Sequence, residues 1–247
     1  MFYFEKINGK TVMKSDFLAG VQHFFTTRDS VIKTKEVEFQ KIADENKKMF
    51  CDVLNITPEN FINPSQTHSS NVEIAKAGKK DYPECDGLIL NNFEQAIFLN
   101  FADCTPVIFY DEKLNIGAVS HAGWRGTAGK ICEITVKKMC DDFGSKPENI
   151  IAVIGSSISL CCFNVGEDVL NKLTSTVENS DGVFEKRNGE FFADLKEINR
   201  RQLLQSGVER IDVCPYCTVC DNDLFFSYRK ENATTNRHSA VLKLNKV

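Results

Sequence analysis

The chain has few of the features that would assign it to a membrane or to a nucleic acid. No apolar run approaches the ~18 consecutive residues that a membrane-spanning helix needs. The N-terminal segment MFYFEKINGK lacks the basic-then-apolar pattern of a signal peptide. Lys and Arg total 30 against 34 Asp and Glu, and the basic residues form no stripe that could follow a phosphate backbone. These absences predict a cytoplasmic protein with neither a membrane nor a nucleic-acid partner.

Linkers and repeats are missing as well. No stretch rich in Pro, Gly or Ser is long enough to separate two domains, and no internal repeat is visible. A chain of 247 residues is ample for one large core, so we expect a single domain over residues 1–247. Strand-like and helix-like segments interleave without regular alternation. This pattern favours the α+β class, with mixed β-sheets covered by helices, over a doubly wound parallel sheet.

Hydrophobic periodicity places the main elements. Helical spacing predicts helices over 35–55 and 126–142, and a third that begins at Asp194 with Glu197 in the capping-box position. Several strand runs show little polar alternation, which indicates strands covered on both faces. The strands are predicted at Phe2–Ile7, Val21–Thr26, Asn71–Ala75, Gly87–Leu90, Ala96–Phe101, Val107–Tyr110, Asn115–Val119, Ile150–Ile154 and Ala240–Leu244.

Cysteine, by contrast, is abundant, with ten copies. Without a signal peptide we expect free thiols and one metal site rather than disulfides. Cys214, Cys217 and Cys220 have the C-x₂-C-x₂-C spacing of some metal centres. A fourth ligand would have to come from elsewhere, such as Cys161, Cys162 or a histidine, and we interpret these thiols as incidental rather than as a second metal site.

Two segments carry the clearest chemical signal. ADCTPVIFY at 102–110 contains Cys104, and AVSHAGWRG at 118–126 contains His121. A polar segment upstream, SQTHSS at 65–70, contains His68. One thiolate and two imidazoles make a three-ligand metal site with room for a water. A Cys104 nucleophile with His121 as its base is the alternative.

These segments also carry a family resemblance. SQTH, CDGL, ADCTPV and HAGWRG occur in this order and resemble the YfiH-type family. The likeness continues through GSSISLCCFNVGEDV at 155–169 and FFSYRK at 225–230. That family is named variously for polyphenol oxidase or laccase activity, purine nucleoside phosphorylase activity and peptidoglycan editing. The resemblance covers most of the chain from about residue 20 onward, and it implies the fold shared by YfiH-type proteins and the cytotoxic necrotizing factors.

The resemblance implies one zinc ion per chain, held by His68, Cys104 and His121. It implies phosphorolysis of adenosine, inosine and methylthioadenosine, and deamination of adenosine to inosine. Copper follows from the older laccase label, but four histidines in the whole chain are too few for a multicopper oxidase. The implied partners are purine nucleosides and phosphate, in a monomer or a homodimer.

Arginine side chains are the candidates for binding phosphate, because a guanidinium donates two parallel hydrogen bonds. Arg125 follows His121 by four residues, so we expect it nearest the metal and count it with Cys104 and His121 as catalytic. Arg28, Arg229 and Arg237 are further substrate-binding candidates.

Other polar and aromatic residues have expected roles around the metal. Gln66 is a candidate for substrate binding or for supporting the ligands. Asp103 is a candidate to accept a hydrogen bond from a metal-bound imidazole, or it caps a turn. Trp124 and Tyr228 are candidates to stack on a purine.

Two other activities stay open. A metal-free cysteine hydrolase or amidase would use Cys104 and His121 as a dyad, as in the deamidase domains that the layout resembles, and would not need His68. Peptidoglycan-precursor editing is the other alternative. Thr27-Arg28 is followed by Asp-Ser-Val-Ile where the family usually has Gly-Gly-Val-Ser, which bears on substrate contacts but not on the metal ligands.

Overall fold

The computed structural model describes residues 1–246 and consists of fifteen strands and five helices. The strands are β1 Phe2–Ile7, β2 Lys10–Ser15, β3 Gln22–Thr26, β4 Phe61–Ile62, β5 Val72–Ile74, β6 Gly87–Leu90, β7 Ala96–Phe101, β8 Thr105–Asp111, β9 Ile116–Ala122, β10 Ile150–Ile154, β11 Asn164–Val165, β12 Phe184–Arg187, β13 Glu190–Ala193, β14 Arg210–Val213 and β15 His238–Lys243. The helices are α1 Val37–Leu54, α2 Trp124–Ala128, α3 Ile131–Phe143, α4 Glu167–Thr174 and α5 Leu195–Gln205.

The strands form two six-stranded sheets and one small sheet. The first sheet has the order β1-β2-β3-β15-β7-β4, the second β14-β10-β8-β9-β6-β5, and the third β11-β13-β12. Most neighbours are antiparallel, but β4 and β7, β5 and β6, and β10 and β14 pair in parallel. The mixed sheets confirm the predicted α+β class.

The two large sheets pack face to face between two helical layers, as side-chain alternation along β8 shows. Ile108 and Tyr110 point into the core between the sheets, whereas Val107 and Phe109 point towards α3 and α5. The outer face of the first sheet is covered by α1 through residues such as Phe50. Because both faces of these strands are buried, their sequences are apolar throughout.

The structure corrects one predicted helix. The segment expected as one helix over 126–142 is two helices, α2 and α3, separated at Gly129 and Lys130. Lys130 takes a left-handed conformation with φ of 56°, which a continuous helix does not allow. Asp194 caps α5 as expected, since its carboxylate accepts the amide of Glu197 at 3.0 Å. Apolar periodicity does not detect short strands such as β12 and β13.

Among residues 1–246, no helix is both long enough and apolar enough to cross a membrane.

Candidate metal centre

The three predicted ligands lie where the chain passes between the two large sheets. Cys104 is in the tight turn between β7 of the first sheet and β8 of the second. His121 is near the end of β9, the antiparallel neighbour of β8, where it pairs with Pro106. His68 belongs to the loop between β4 and β5. The fold therefore brings together residues that are up to 53 positions apart in sequence.

The donor atoms of these residues form a compact set. The ligand atoms of His68, Cys104 and His121 all lie within 4.8 Å of one another. The rings of His68 and His121 meet edge to face with centroids 4.9 Å apart. One sulfur and two imidazole nitrogens are a donor set that zinc accepts, and three protein ligands leave a position open for water or substrate. The residues present therefore fit a catalytic-type zinc ion.

Asp86 organises two of the ligands from behind. His121 Nδ1 donates to Asp86 Oδ1 at 2.8 Å, and the His121 amide donates to the Asp86 carbonyl at 2.8 Å. The same carboxylate accepts the amides of Thr67, His68 and Ser69 at 2.7–3.1 Å. Because an ionised carboxylate only accepts, His121 carries its proton on Nδ1 and keeps Nε2 for a metal.

Local backbone geometry also serves the site. His68 has a φ of 63°, a left-handed conformation uncommon outside glycine, and the three amide bonds to Asp86 hold it there. Gly123 makes the close approach possible. A Cβ added at Gly123 would lie 2.8 Å from Cys104 Sγ and 3.3 Å from His68 Cδ2. The absence of a side chain at Gly123 thus leaves room for Cys104 and His68 beside His121.

Electrostatics favour a charged ligand set. Burial alone would raise the pKa of the Cys104 thiol, but the charge of His121 and hydrogen bonds from His121 and His68 lower this pKa to about 6. Burial would lower the pKa of His121, but Cys104 and Asp86 raise it to about 9. Burial opposes ionisation of Asp86, but hydrogen bonds from His121 and Ser69 lower its pKa to about 2. A thiolate at Cys104 is the form that binds a metal.

The ligands open into a cavity of about 810 Å³. Its wall contains several cations, amides and aromatic rings, which are Lys33, Lys35, Arg229, Arg237, Asn63, Gln66, Asn100, Phe163 and Tyr228. Within residues 1–246, none of the four cations has a carboxylate within ion-pair distance. The cavity can therefore accept an anionic or strongly polar ligand beside the metal ligands.

Four of the predicted substrate contacts lie on this cavity. Arg229, Arg237 and Tyr228 line it directly. Gln66 lines it too, and its side chain fixes β7 because Gln66 Oε1 accepts the Asn100 amide at 2.8 Å and Nε2 donates to the Asn100 carbonyl at 2.9 Å. Lys33 and Lys35 were not singled out by sequence reasoning, because isolated lysines in a polar segment carry no pattern.

Two arginines and the tryptophan are placed differently from the sequence expectation. Arg125 is exposed, and its guanidinium stacks 4.3 Å from the Trp124 ring instead of lining the cavity. The cause is α2, which starts at Trp124 and turns the side chain outwards. Arg28 is ion-paired with Glu231 at 2.8 Å and lies over Phe226. Trp124 packs against the core around α4 and does not line the cavity.

Asp103 does not accept a hydrogen bond from an imidazole. Its carboxylate accepts from Thr218 Oγ1 at 2.6 Å and from the Arg229 amide at 2.7 Å. Asp103 thus holds the turn next to Cys104 and the arginine-bearing loop. The imidazole partner is Asp86 of the CDGL segment, to which the sequence analysis gave no role.

The fold and the three donor side chains define a class of proteins with two packed sheets and a candidate histidine–cysteine metal site between them. Residues 24–245 match the family model described as multi-copper polyphenol oxidoreductase laccase, and the chain belongs to this family. At the same time, only two of its four histidines, His68 and His121, are at the site. His23 and His238 are buried elsewhere.

Curated relatives point to nucleosides. The chain is 32% identical over 235 residues to the purine nucleoside phosphorylase YlmD of Bacillus subtilis, with 86% of this chain and 84% of that protein covered. It is 29% identical over 250 residues to adenosine deaminase RL5 from an unknown prokaryotic organism, with 91% and 95% covered.

Solved structures share the whole architecture. The crystal structure of the Bacillus licheniformis hypothetical protein YfiH superposes with a TM-score of 0.89 at 28% identity, covering 98% of this chain and 99% of that one. The likeness confirms the expected family fold.

Proposed function

We propose that this chain is a zinc-dependent enzyme that acts on purine nucleosides, by phosphorolysis and by deamination of adenosine. The observation that carries the proposal is the His68, Cys104 and His121 donor set at the wall of a cavity rich in cations and aromatic rings. The relatives named purine nucleoside phosphorylase and adenosine deaminase support the same chemistry.

The metal ligands have distinct tasks in this proposal. A zinc ion held by one thiolate and two imidazoles supplies a Lewis acid and lowers the pKa of a bound water. Asp86 holds His121 in the tautomer that exposes Nε2, and its three amide contacts fix the His68 loop. Cys104 would hold the ion as a thiolate, the form that its lowered pKa of about 6 favours.

The cationic side chains of the cavity are the proposed binding site for the phosphate. Arg237 and Arg229 line the same wall as Cys104, and a guanidinium can bind a phosphate dianion with two parallel hydrogen bonds. Lys33 and Lys35 add positive charge to this wall, and neither forms an ion pair with a carboxylate of residues 1–246. We therefore place the phosphate of phosphorolysis between these side chains rather than at Arg125.

The aromatic and amide side chains of the cavity are the proposed binding site for the nucleoside. Tyr228 and Phe163 offer ring faces on which a purine can stack, and Asn63 and Asn100 offer amides that can bond to its edge or to the ribose. Tyr228 is 52% exposed, a large aromatic surface that a bound base would cover.

The test is product analysis on adenosine together with metal analysis. With phosphate present, zinc-loaded protein should release adenine and ribose 1-phosphate; without phosphate, inosine should be the product. The Cys104→Ala variant should lose the metal and both activities, while Cys140→Ser, a half-buried thiol away from the cavity, should keep both. Activity that persists in the metal-free wild type would overturn the zinc mechanism, and copper found at the site would overturn the choice of metal.

A second function is favoured by the paired charges of Cys104 and His121. A lowered thiol pKa beside a raised imidazole pKa is the signature of a nucleophile and its base. In this alternative the protein is a metal-free cysteine hydrolase or amidase. Accumulation of an acyl-enzyme on Cys104 with metal-free protein, together with full activity of His68→Ala, would establish it over the zinc enzyme.

A further inference from the structure

A second group of metal-ligating side chains lies outside the site already described. Cys161 and Cys162 precede β11, and Cys217 and Cys220 follow β14, yet the four sulfur atoms all lie within 4.8 Å of one another. Cys214, which the sequence spacing had grouped with the latter pair, points away into the core, with Sγ 3.8 Å from Met13 Sδ. The spacing alone therefore picks the wrong third thiol.

We propose that Cys161, Cys162, Cys217 and Cys220 hold one tetrahedral divalent metal ion of the zinc type, separate from the His68, Cys104 and His121 centre. Sγ of Cys220 lies 3.7 Å from Sγ of Cys161 and 3.5 Å from Sγ of Cys162. A tetrahedron with metal–sulfur bonds of about 2.3 Å has edges of about 3.8 Å between its sulfur atoms. The observed separations match such an edge and are far longer than a disulfide bond of about 2.05 Å.

Hydrogen bonds around Cys217 hold the two cysteine segments next to each other. The Ser159 amide donates to Cys217 Sγ at 3.5 Å, so a segment preceding the first cysteine pair already contacts a sulfur of the second. Ser157 and Cys217 form a parallel bridge, and the Thr218 amide donates to the Ser157 carbonyl at 3.1 Å. These contacts hold both segments in place before any ion binds, which lowers the cost of assembling the site.

The surrounding charges suit a tetrathiolate centre. Four thiolates and one divalent ion carry a net charge of −2, and the thiols release their protons to solvent as the ion binds. Two cationic side chains flank the cysteine segments. Arg187 donates to the carbonyls of Leu160 and Cys161 at 2.5 and 3.2 Å, and Lys230 donates to the Val219 carbonyl at 2.9 Å. Tetrahedral sulfur coordination favours zinc over harder cations.

The ion would stabilise one wall of the large cavity. Ile158 and Phe163, on either side of the first cysteine pair, both line that cavity. The Ile158 amide donates to the Asp103 carbonyl at 3.0 Å, and Thr218 bonds to the Asp103 carboxylate. A metal clamp between the two cysteine segments would therefore fix the turn that carries Cys104. Its loss should weaken substrate binding, seen as a higher KM, more than it lowers kcat.

The test counts metal ions in full-length variants. Wild-type protein purified under reductant and reconstituted with zinc should hold two ions per chain by mass spectrometry of the metal. The Cys217→Ser/Cys220→Ser double variant and Cys104→Ala should each hold one, and the control Cys140→Ser should hold two. The two variants remove ions from different centres. Zinc at the cysteine cluster can therefore be measured even if His68, Cys104 and His121 bind no ion.

Cobalt adds a readout that does not depend on whether the variants fold well. In wild-type protein, titration with Co²⁺ should give thiolate-to-cobalt absorption at the first and second equivalent, and the absorption of the four-thiolate centre should be several times that of the one-thiolate centre. The single variant Cys161→Ser, at an exposed position, should reduce this absorption while the fold is kept. A wild type that holds a single ion, lost in Cys104→Ala but kept in the Cys217→Ser/Cys220→Ser double variant, would overturn the proposal. So would a cluster variant that keeps both ions, or a disulfide at Cys220 in the reduced preparation.

Discussion

Asp86 is a buried carboxylate that touches both histidine-bearing segments of the metal centre. Its oxygens accept from the His121 ring and from three consecutive backbone amides around His68. An amide side chain at this position would turn an NH₂ group towards some of these donors and remove the negative charge. The geometry of two ligands therefore depends on one residue that is not itself a ligand.

We expect Asp86→Asn to weaken zinc binding at the first centre by about 10- to 100-fold, since partners of metal-bound imidazoles typically have effects of this size. Competition with a chromophoric chelator measures the affinity. Asp111→Asn is the matched control, because Asp111 is also a buried carboxylate that accepts backbone amides but lies at the far end of β8. An unchanged zinc affinity in Asp86→Asn would show that the ligands hold their positions without this carboxylate.

Arg237 is expected to bind phosphate, and its removal should separate the two proposed activities. A charge-assisted hydrogen bond contributes roughly 1.5–3 kcal/mol, so Arg237→Ala should cut phosphorolysis by roughly ten- to a hundredfold. Deamination uses water and should suffer less, so the product ratio should shift towards inosine. Arg200→Ala, on the surface of α5, is the control.

The same assay applied to Arg125→Ala resolves the earlier sequence-based expectation. An exposed arginine stacked on Trp124 should affect phosphorolysis less than Arg237 does. A larger loss in Arg125→Ala than in Arg237→Ala would return the phosphate site to the HAGWRG segment.

His23 should make stability depend on pH. Burial lowers its pKa from 6.5 to about 4, while the ring accepts the Ser15 amide at 3.1 Å. Between these two values the unfolded chain binds a proton that the folded chain excludes, so the free energy of unfolding falls as pH falls from about 6.5 towards 4. The loss should reach about 2 kcal/mol at pH 5.

Urea unfolding at about pH 7 and pH 5 measures this effect. In His23→Gln, an uncharged side chain that can still accept the Ser15 amide, the fall between the two pH values should be smaller by about that amount. An identical pH dependence in the two proteins would mean that His23 is not a source of the acid sensitivity.

At the level of elements, α2 begins where the metal centre ends. Gly123 is the residue before the helix and has an ordinary φ of −66°, so its role is the space it leaves and not its backbone freedom. α2 ends at Ala128, and α3 begins after the left-handed Lys130 and packs its apolar side on the second sheet.

We expect Gly123→Ala to displace the ligands, because its Cβ would lie only 2.8 Å from Cys104 Sγ. Zinc affinity at the first centre should fall while the helical circular dichroism stays close to that of the wild type. Gly20→Ala is the control, since a Cβ there would meet Tyr110 at an ordinary 3.4 Å. Unchanged zinc binding in Gly123→Ala would show that the turn around Cys104 can move aside.

Over the whole molecule, local patterns predict the elements better than they predict the pairing. The apolar runs at Gly87–Leu90 and Ala96–Phe101 correspond to β6 and β7 residue for residue. The position of β15 between β3 and β7 is not readable from sequence, because strand pairing over such separations depends on the packing of the entire core.

For the candidate site as well, local motifs predict some residues, whereas others depend on strand pairing. The ligand trio was predicted from its residue types and family motifs. Its partner Asp86 was not, because the contact depends on the register of β6 against β9, where Gly87 pairs with Ser120. The four-cysteine cluster likewise depends on the bridge between Ser157 and Cys217, which no local spacing encodes.

Leu242 should show how strongly β15 joins the two sheets. It is fully buried between them, and a Cβ at Gly117 of β9 would lie 2.5 Å from Leu242 Cδ2. Leu242→Ala should lower the free energy of unfolding by about 2–5 kcal/mol, as large-to-small changes in tight cores do. Leu204→Ala, at a position 42% exposed, should change it far less in the same urea titration. Similar losses in both variants would contradict the tight packing between the sheets.

The place of β15 bears on how the protein folds as it is synthesised. A ribosome makes β3 and β7 more than a hundred residues before β15, the strand that lies between them. Until residues 238–243 emerge, both strands expose an unpaired edge, and His68, Cys104 and His121 have no closed core behind them. Such edges attract other chains. Nascent chains stalled before β15 should therefore depend on chaperones, and the first sheet should close only after translation of that strand.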